Sequence, residues 1–371
     1  MTVMVTCAVV FVAFTFLWLF SFQSDLLAYI QHVLSNGHTT YNRTIGAVVI
    51  TLLLWLVQVI VCRFVVSRGR AYALTFFPSM LLLAMLTSLG TEEGVRFNFG
   101  SWLWLLPLLL LLWGISLWGA HSLRGIGVPK ESGLFSRRMW INMLTMVLMM
   151  VGVAWTANTN AVFHYALRAE TAMIAGDYDQ ALSVGNRSLE TDGNLMMLRM
   201  YALSRKGQLG DRLFHYPLVP SSAEMLPTDG SVTMRMYPVD SLYRHLGAIP
   251  RPYMKPMEYL ETIIRSRQAK PAAHDYLLCG FLIDKNLDDF ARHLPLYYTV
   301  NDSLPHHYRE ALVLYTHQRS NPVLVYHDAV LDVDYDDMQQ LEATCKDDSE
   351  RKGRVLENYS NSYWYYYFYV N

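Results

Sequence analysis

Residues 45–62, IGAVVITLLLWLVQVIVC, decide the class of this protein. Eighteen residues in succession carry no charge, and as a helix they reach about 27 Å, close to the ~30 Å hydrocarbon thickness of a bilayer. Four further runs share this character, at 4–22, 72–89, 102–119 and 139–156. The first lacks a basic leader and a small-residue cleavage site, so it reads as a span rather than a signal peptide. Residues 1–157 hold nine Lys/Arg and four Asp/Glu, whereas 158–371 hold 21 and 27. The net charge of −1 therefore conceals a basic apolar half and an acidic polar half. No basic patch or run points to nucleic acid.

The loops after the second and fourth runs carry Arg63, Arg68, Arg70, Arg124, Lys130, Arg137 and Arg138, against Arg43 and Arg96 in the alternate loops. The positive-inside rule then puts the N-terminus in the cytoplasm and delivers 158–371 to the far side. No Asp, Glu, Lys or Arg lies within the runs, which argues against an ion-coupled transporter. Pro78 and Pro107 are expected to kink the third and fourth spans. Trp102, Trp104, Trp118, Trp140 and Trp155 sit near span ends, as interfacial anchors do. In the first outer loop, SDLLAYIQHVLSNG predicts a short amphipathic helix capped by Ser24 or Asp25 and stopped by Gly37.

Beyond the spans, AVFHYALRAETAMIAGDYDQALSVGNRSLETDG (161–193) predicts two helices joined by a tight turn. The stretch GDYDQAL resembles a tetratricopeptide repeat. That resemblance places Ala169, Gly176 and Ala181 where two helices cross closely, with Tyr178 filling the groove beside them. Gly185 stands where such repeats carry a large aromatic, and Gly193 where they carry proline. Later segments repeat the helix–polar turn–helix pattern, LDDFA with Phe290 at the crossing position among them. The fold class predicted is all-α: a five-span membrane domain, 1–157, followed by an α-solenoid, 158–371.

A Pro-rich insert at about 217–256 interrupts the helices. It reads either as an ordered segment packed on the concave face or as a binding site through Tyr237, Tyr243, Arg244 and His245, with Asp240 capping a short helix. Across the whole order, YNRTIGAVVITLLLWLVQ, LYRHLGAIP and YWYYYFY resemble an inner-membrane family of unknown function from Bacteroidota. The resemblance implies a Gram-negative envelope location and no particular activity.

Chemistry is sparse. Cys7 and Cys62 lie in spans, and Cys279 reads as a small buried hydrophobe rather than as a disulfide partner of Cys345. His307 and Glu310 share a helical face near a helix start, but two ligands do not make a site, so no metal and no cofactor is expected. Asp332, Asp334, Asp336 and Asp337 lack the glycine and final glutamate of a calcium loop and read as an acidic helix N-terminus. Asp25, Glu92 and Glu93 fall in outer loops, where polytopic lipid-sugar glycosyltransferases hold catalytic carboxylates. The expected function is a bacterial inner-membrane protein whose helical-repeat domain binds an envelope protein; the alternative is a membrane-embedded transferase using those carboxylates. The C-terminal run Tyr363–Tyr369 is expected to cap the helical domain, lie at the membrane interface or add to a partner's sheet.

Overall fold

The structure, a computed structural model, describes residues 2–65, 72–88, 102–122 and 136–370. All regular elements among these residues are helical. The chain divides into two units, 1–164 and 165–371. The sequence places this boundary at 157/158. It falls later because the connector is fastened backwards: Asn158 N donates to Thr87 O at 2.8 Å, and Gln23 Nε2 and His164 Nε2 both lie within hydrogen-bond reach of Asn158 O.

The first unit contains α1 (Thr2–Leu17), which runs into a π turn at Trp18–Phe22, α2 (Ser24–Leu34), α3 (Arg43–Phe64), α4 (Phe77–Thr87), α5 (Trp102–Ser122) and α6 (Arg137–Thr156). Among the described residues, four helical segments are long and apolar enough to cross a membrane: Thr2–Phe22, Arg43–Phe64, Trp102–Gly119 and Arg137–Thr156. The fifth run is shorter, Tyr72–Thr87. It opens as a 3₁₀ turn, and Pro78 stands in the first turn of α4. Proline there starts a helix, since its missing N–H is one of the groups the first turn leaves unbonded. The expected kink at Pro78 is therefore corrected; Pro107 does lie inside α5.

Burial in this unit inverts the water-soluble pattern. The first helix and α3 each hide a narrow stripe, Cys7, Phe11, Thr15 and Leu19 on the first and Ala47, Thr51, Leu54 and Gln58 on α3. Leu52, Leu53, Leu56 and Ile60 face outward. Polar groups join the buried sides: Gln58 Nε2 donates to Tyr72 Oη at 3.2 Å and Thr75 Oγ1 at 3.1 Å, Ser79 Oγ to Leu54 O at 2.7 Å, and Ala73 N to Asn142 Oδ1 at 2.8 Å. Between apolar helices in hydrocarbon no hydrophobic gain drives association, so close packing together with such bonds holds them. The predicted amphipathic helix is present as α2, with Asp25 in its first turn, though neither Ser24 nor Asp25 caps it.

α7 (Ala161–Ile174) carries the chain past residue 164, and the second unit continues with α8 (Tyr178–Ser183), α9 (Gly193–Arg205), α10 (Leu209–Arg212), α11 (Val239–Leu246), α12 (Pro256–Arg265), α13 (Pro271–Ile283), α14 (Leu287–Tyr297), α15 (His306–Gln318), α16 (Ala329–Thr344), α17 (Asp348–Tyr359) and α18 (Tyr363–Tyr369). Asp177, Asp192, Asn286, Asp328, Asp347 and Ser362 each accept a backbone N–H of the first turn of the helix they precede. Each such cap contributes about 1 kcal/mol. α9 and α13 are buried on nearly every side, and the core of the unit forms around them. Phe290 is fully buried with its ring 5.5 Å from that of Tyr308. Cys279 is buried 3.6 Å from Tyr308 Oη, and Cys279 and Cys345 are unpaired thiols.

Several local expectations change. Ala169 and Ala181 are buried, as close crossing requires. Gly176 is not at a crossing: a Cβ there would meet nothing within 4 Å, and the position needs glycine for its φ of +79°. The space beside Gly185 is taken by the ring of Tyr165. The acidic run 332–337 lies inside α16, whose cap is Asp328. Asp240 does not cap α11; Pro238 holds the cap position and Asp240 stands in the first turn.

Candidate functional site

The insert is anchored by one buried carboxylate. Glu170, on α7, accepts the backbone N–H groups of Arg235 at 3.0 Å, Met236 at 2.5 Å and Tyr237 at 2.8 Å. Burial pushes its carboxyl above the usual range, and the three donors pull against that. Asp284 holds the other end, accepting Ser222 N at 2.9 Å and Ser222 Oγ at 2.6 Å.

Anchored in this way, Tyr237 meets Tyr178 and Tyr201. Its hydroxyl lies 3.4 Å from each of theirs. Tyr178 is held by the Asp177 cap of α8; Tyr201, Ser204 and Arg205 share one face of α9 by their i, i+3, i+4 spacing. Arg205 Nη1 donates to Tyr201 Oη at 2.9 Å, and its guanidinium lies 5.0 Å from the Tyr178 ring centroid and 5.8 Å from that of Tyr201. His245, on α11, closes the edge: its Nε2 is 2.9 Å from Ser204 Oγ, and its ring stands edge-on to Tyr201.

Burial pushes Tyr178 up to about 12 and Tyr201 higher still. Burial also acts on Tyr237, but the hydroxyls of Tyr178 and Tyr201 and the Arg205 guanidinium outweigh it and hold this phenol below its ordinary value. The arrangement offers the exposed Arg205 guanidinium and the half-buried rings of Tyr178 and Tyr237 over a fully buried Tyr201. Its one hydroxyl–imidazole pair is Ser204 Oγ with His245 Nε2.

Burial, then Arg205 and Lys270, depress the His245 pKa below 6.5. An unfolded chain therefore takes up a proton near pH 6.5 that the folded chain refuses, and stability falls as the pH drops through that value. The protection factors of the α11 amides, exchange rates divided into their intrinsic pH-dependent values, should fall between pH 7.5 and 5.5, and His245→Gln should flatten the dependence. A flat profile in the unaltered chain would remove the assignment.

Of the four insert residues expected to bind, the structure brings Tyr237 and His245 together. Tyr243 faces the core, its hydroxyl on Pro227 O at 3.0 Å and its ring against Tyr259. Arg244 is exposed and contributes its carbonyl to Lys270 Nζ. Tyr201 and Arg205 are the residues that sequence reasoning misses, although their spacing on α9 marks a shared face. Of the loop carboxylates, Asp25 Oδ2 lies 3.8 Å from His164 Nδ1 with both side chains largely enclosed; Glu92 and Glu93 fall outside the described residues.

A second polar cluster lies at the start of α15. His307 is fully buried, and its Nδ1 is 2.8 Å from Glu310 Oε2. Glu310 Oε1 is 3.2 Å from His306 Nε2, and Oε2 also accepts Tyr363 N at 2.8 Å. Burial acts to raise the Glu310 carboxyl, but the two imidazoles prevail and hold it at about 2. The sequence offers His307 and Glu310 as two ligands; the fold adds His306 as a third.

Residues 252–370 match a family of unknown function (DUF6057). Among proteins of curated function and among solved structures, none matches the chain significantly.

Proposed function

We propose that this is an envelope protein of a Gram-negative bacterium of the Bacteroidota, anchored in the inner membrane by five spans, whose periplasmic helical-repeat domain binds a partner protein. The observation that carries the reading is the Tyr178–Tyr201–Tyr237–Arg205 cluster. Tyrosine and arginine dominate the binding energy of protein interfaces, because rigid rings and a guanidinium fork lose little entropy when they are covered.

The topology rests on the cation bias and on the fifth apolar run. Tyr72–Thr87 rises about 24 Å as a helix, a few ångströms short of ~30 Å, and local thinning of the bilayer accommodates that deficit. The tetratricopeptide-like reading of the outer domain draws support from buried Ala169 and Ala181 and from the left-handed turn at Gly176.

Crosslinking with a membrane-impermeant reagent, in cells whose outer membrane is permeabilised, tests compartment and binding together. The unaltered chain should yield one dominant adduct, and Arg205→Ala with Tyr237→Ala should lose it while the chain still accumulates. No adduct with the unaltered chain, or an adduct indifferent to both substitutions, would refute the reading. The transferase alternative rests on the Asp25–His164 pair. It would be preferred if Asp25→Ala reproduced the deletion phenotype while the adduct persisted.

A further inference from the structure

We infer that the loop 248–255, with the adjoining end of α11 and the turn 266–270, is a docking site for the surface of an anionic phospholipid bilayer. Residues 244–270 hold six Lys/Arg, namely Arg244, Arg251, Lys255, Arg265, Arg267 and Lys270, against two acids, Glu258 and Glu261. The remainder of 158–371 holds 15 and 25, so a basic segment stands in an acidic unit. All six basic residues are exposed. Elsewhere in the unit cations are taken up by carboxylates, Lys206 by Asp179, Arg309 by Asp328 and Arg319 by Asp288. Among the described residues no carboxylate lies within 4.0 Å of any of the six. Their charge is left for something outside the chain.

The fold joins the three segments. Lys270 N donates to Leu246 O at 2.8 Å and Lys270 Nζ to Arg244 O at 2.7 Å, which ties the turn to the end of α11. Gly247 approaches the turn so closely that a Cβ there would fall 2.1 Å from Gln268 O. Tyr259 Oη donates to Ala248 O, so the loop is fastened to α12 where it starts, and at Pro256 it becomes α12.

Between these fixed ends the loop presents apolar groups to solvent. Ile249 is 74% exposed and Tyr253 86%. Tyr253 has a φ of +58°, a left-handed conformation that bulky residues rarely adopt, so its exposure is held at a cost in backbone energy. Pro250, Pro252 and Pro256 bring no N–H, which leaves fewer donors to lose water when the loop enters an interface. Tyrosine favours the headgroup level of a bilayer, and each Lys/Arg near an anionic surface adds about fivefold in affinity. An acidic protein would also meet the charge. The apolar helices of the first unit, however, tether this unit to a bilayer, whose effective concentration a soluble partner does not match. None of the docking residues belongs to the Tyr178–Tyr201–Tyr237–Arg205 cluster, so the two readings stand or fall separately.

The test places the photoreactive residue p-benzoylphenylalanine at position 253 of the full-length chain, in nanodiscs of phosphatidylcholine with or without one-third phosphatidylglycerol. Irradiation of the anionic discs should give an adduct of phospholipid mass. The adduct should be weak in neutral discs and should fall in about 0.5 M NaCl, where screening shortens the reach of the charges. Arg251→Gln with Lys255→Gln and Arg267→Gln should lower it at least about fivefold, whereas lysine at 251 and 267 should retain it. The same probe at Val323, 71% exposed and outside the basic segment, should give little lipid adduct. No phospholipid adduct at 253, an adduct equal in neutral discs, one indifferent to the glutamines, or one matched at 323 would overturn the site. An adduct of twice the chain mass in its place would assign the surface to a second copy and overturn the lipid reading.

Discussion

Trp364→Ala is expected to destabilise the second unit by about 3–5 kcal/mol, the usual cost of removing a large aromatic from a packed core. Trp364 is 1% exposed, its ring stands 5.3 Å from that of Tyr335, and its Nε1 donates to Glu310 O. The substitution leaves a cavity and strips a buried carbonyl of its donor, and both effects act in the same direction. Phe368→Ala, one turn further along α18 and 36% exposed, should cost no more than about 1 kcal/mol. Chemical unfolding of the two variants against the unaltered chain reads the difference. Equal midpoints would mean that the aromatic helix does not belong to the core.

The same contacts explain why the C-terminal run consists largely of tyrosine. The last turn of any helix leaves carbonyls without intrahelical partners. Tyr363 Oη donates to Leu282 O at 3.3 Å and Tyr366 Oη to Ile283 O at 2.7 Å, so two rings cap the end of α13. At the rim, Tyr367 Oη reaches Gln318 Oε1 and Tyr369 Oη reaches Glu342 Oε1. Phenylalanine would fill the space and leave four acceptors without these donors. Of the three sequence readings of this tail, strand addition conflicts with its helical form here. The sequence also shows why burial was legible in advance: seven adjacent rings cannot all face water on any regular backbone.

Legibility follows the range of the interaction. Apolar runs announce membrane helices because hydrophobicity is non-directional and local in sequence, and the long runs at 45–62 and 139–156 correspond to α3 and α6. The run at 72–89 opens as a 3₁₀ turn before α4, which hydropathy does not register because it is blind to Pro78 standing in the first turn of a helix. Gly176 fits a repeat pattern for a reason other than the one that pattern implies, a positive φ instead of close packing. His307 looks like an exposed histidine because nothing local reveals that Phe214 and the residues of α18 will cover it. The candidate site was legible in half. Tyr237 stands out in a Pro-rich insert, whereas Tyr201 and Arg205 look like ordinary helix residues until the insert lands on them.

Glu170 is the residue whose role was least visible and whose loss should most affect that site. It sits mid-helix in LRAETAM, where glutamate is an unremarkable helix former. In the fold it is fully buried and accepts three consecutive N–H groups from residues 65 to 67 positions away. Glu170→Ala leaves those three donors without an acceptor beneath the insert. At about 1–3 kcal/mol for each unsatisfied buried group, partly relieved by water entry, a loss of roughly 3–5 kcal/mol is expected in the docking of 233–238. Glu170→Gln retains an acceptor oxygen but brings two donors into a place that supplies only donors, so it should fall between alanine and the unaltered chain. Since Tyr237 N is one of the three groups, its ring should leave Tyr178 and Tyr201, and protease cleavage should begin near Arg235. Partner crosslinking should fall in the same order, alanine below glutamine below unaltered. Cleavage at the unaltered rate in Glu170→Ala would show that the insert is held by Asp284 and its own apolar contacts alone, and the recognition cluster would then lose its anchor as an explanation.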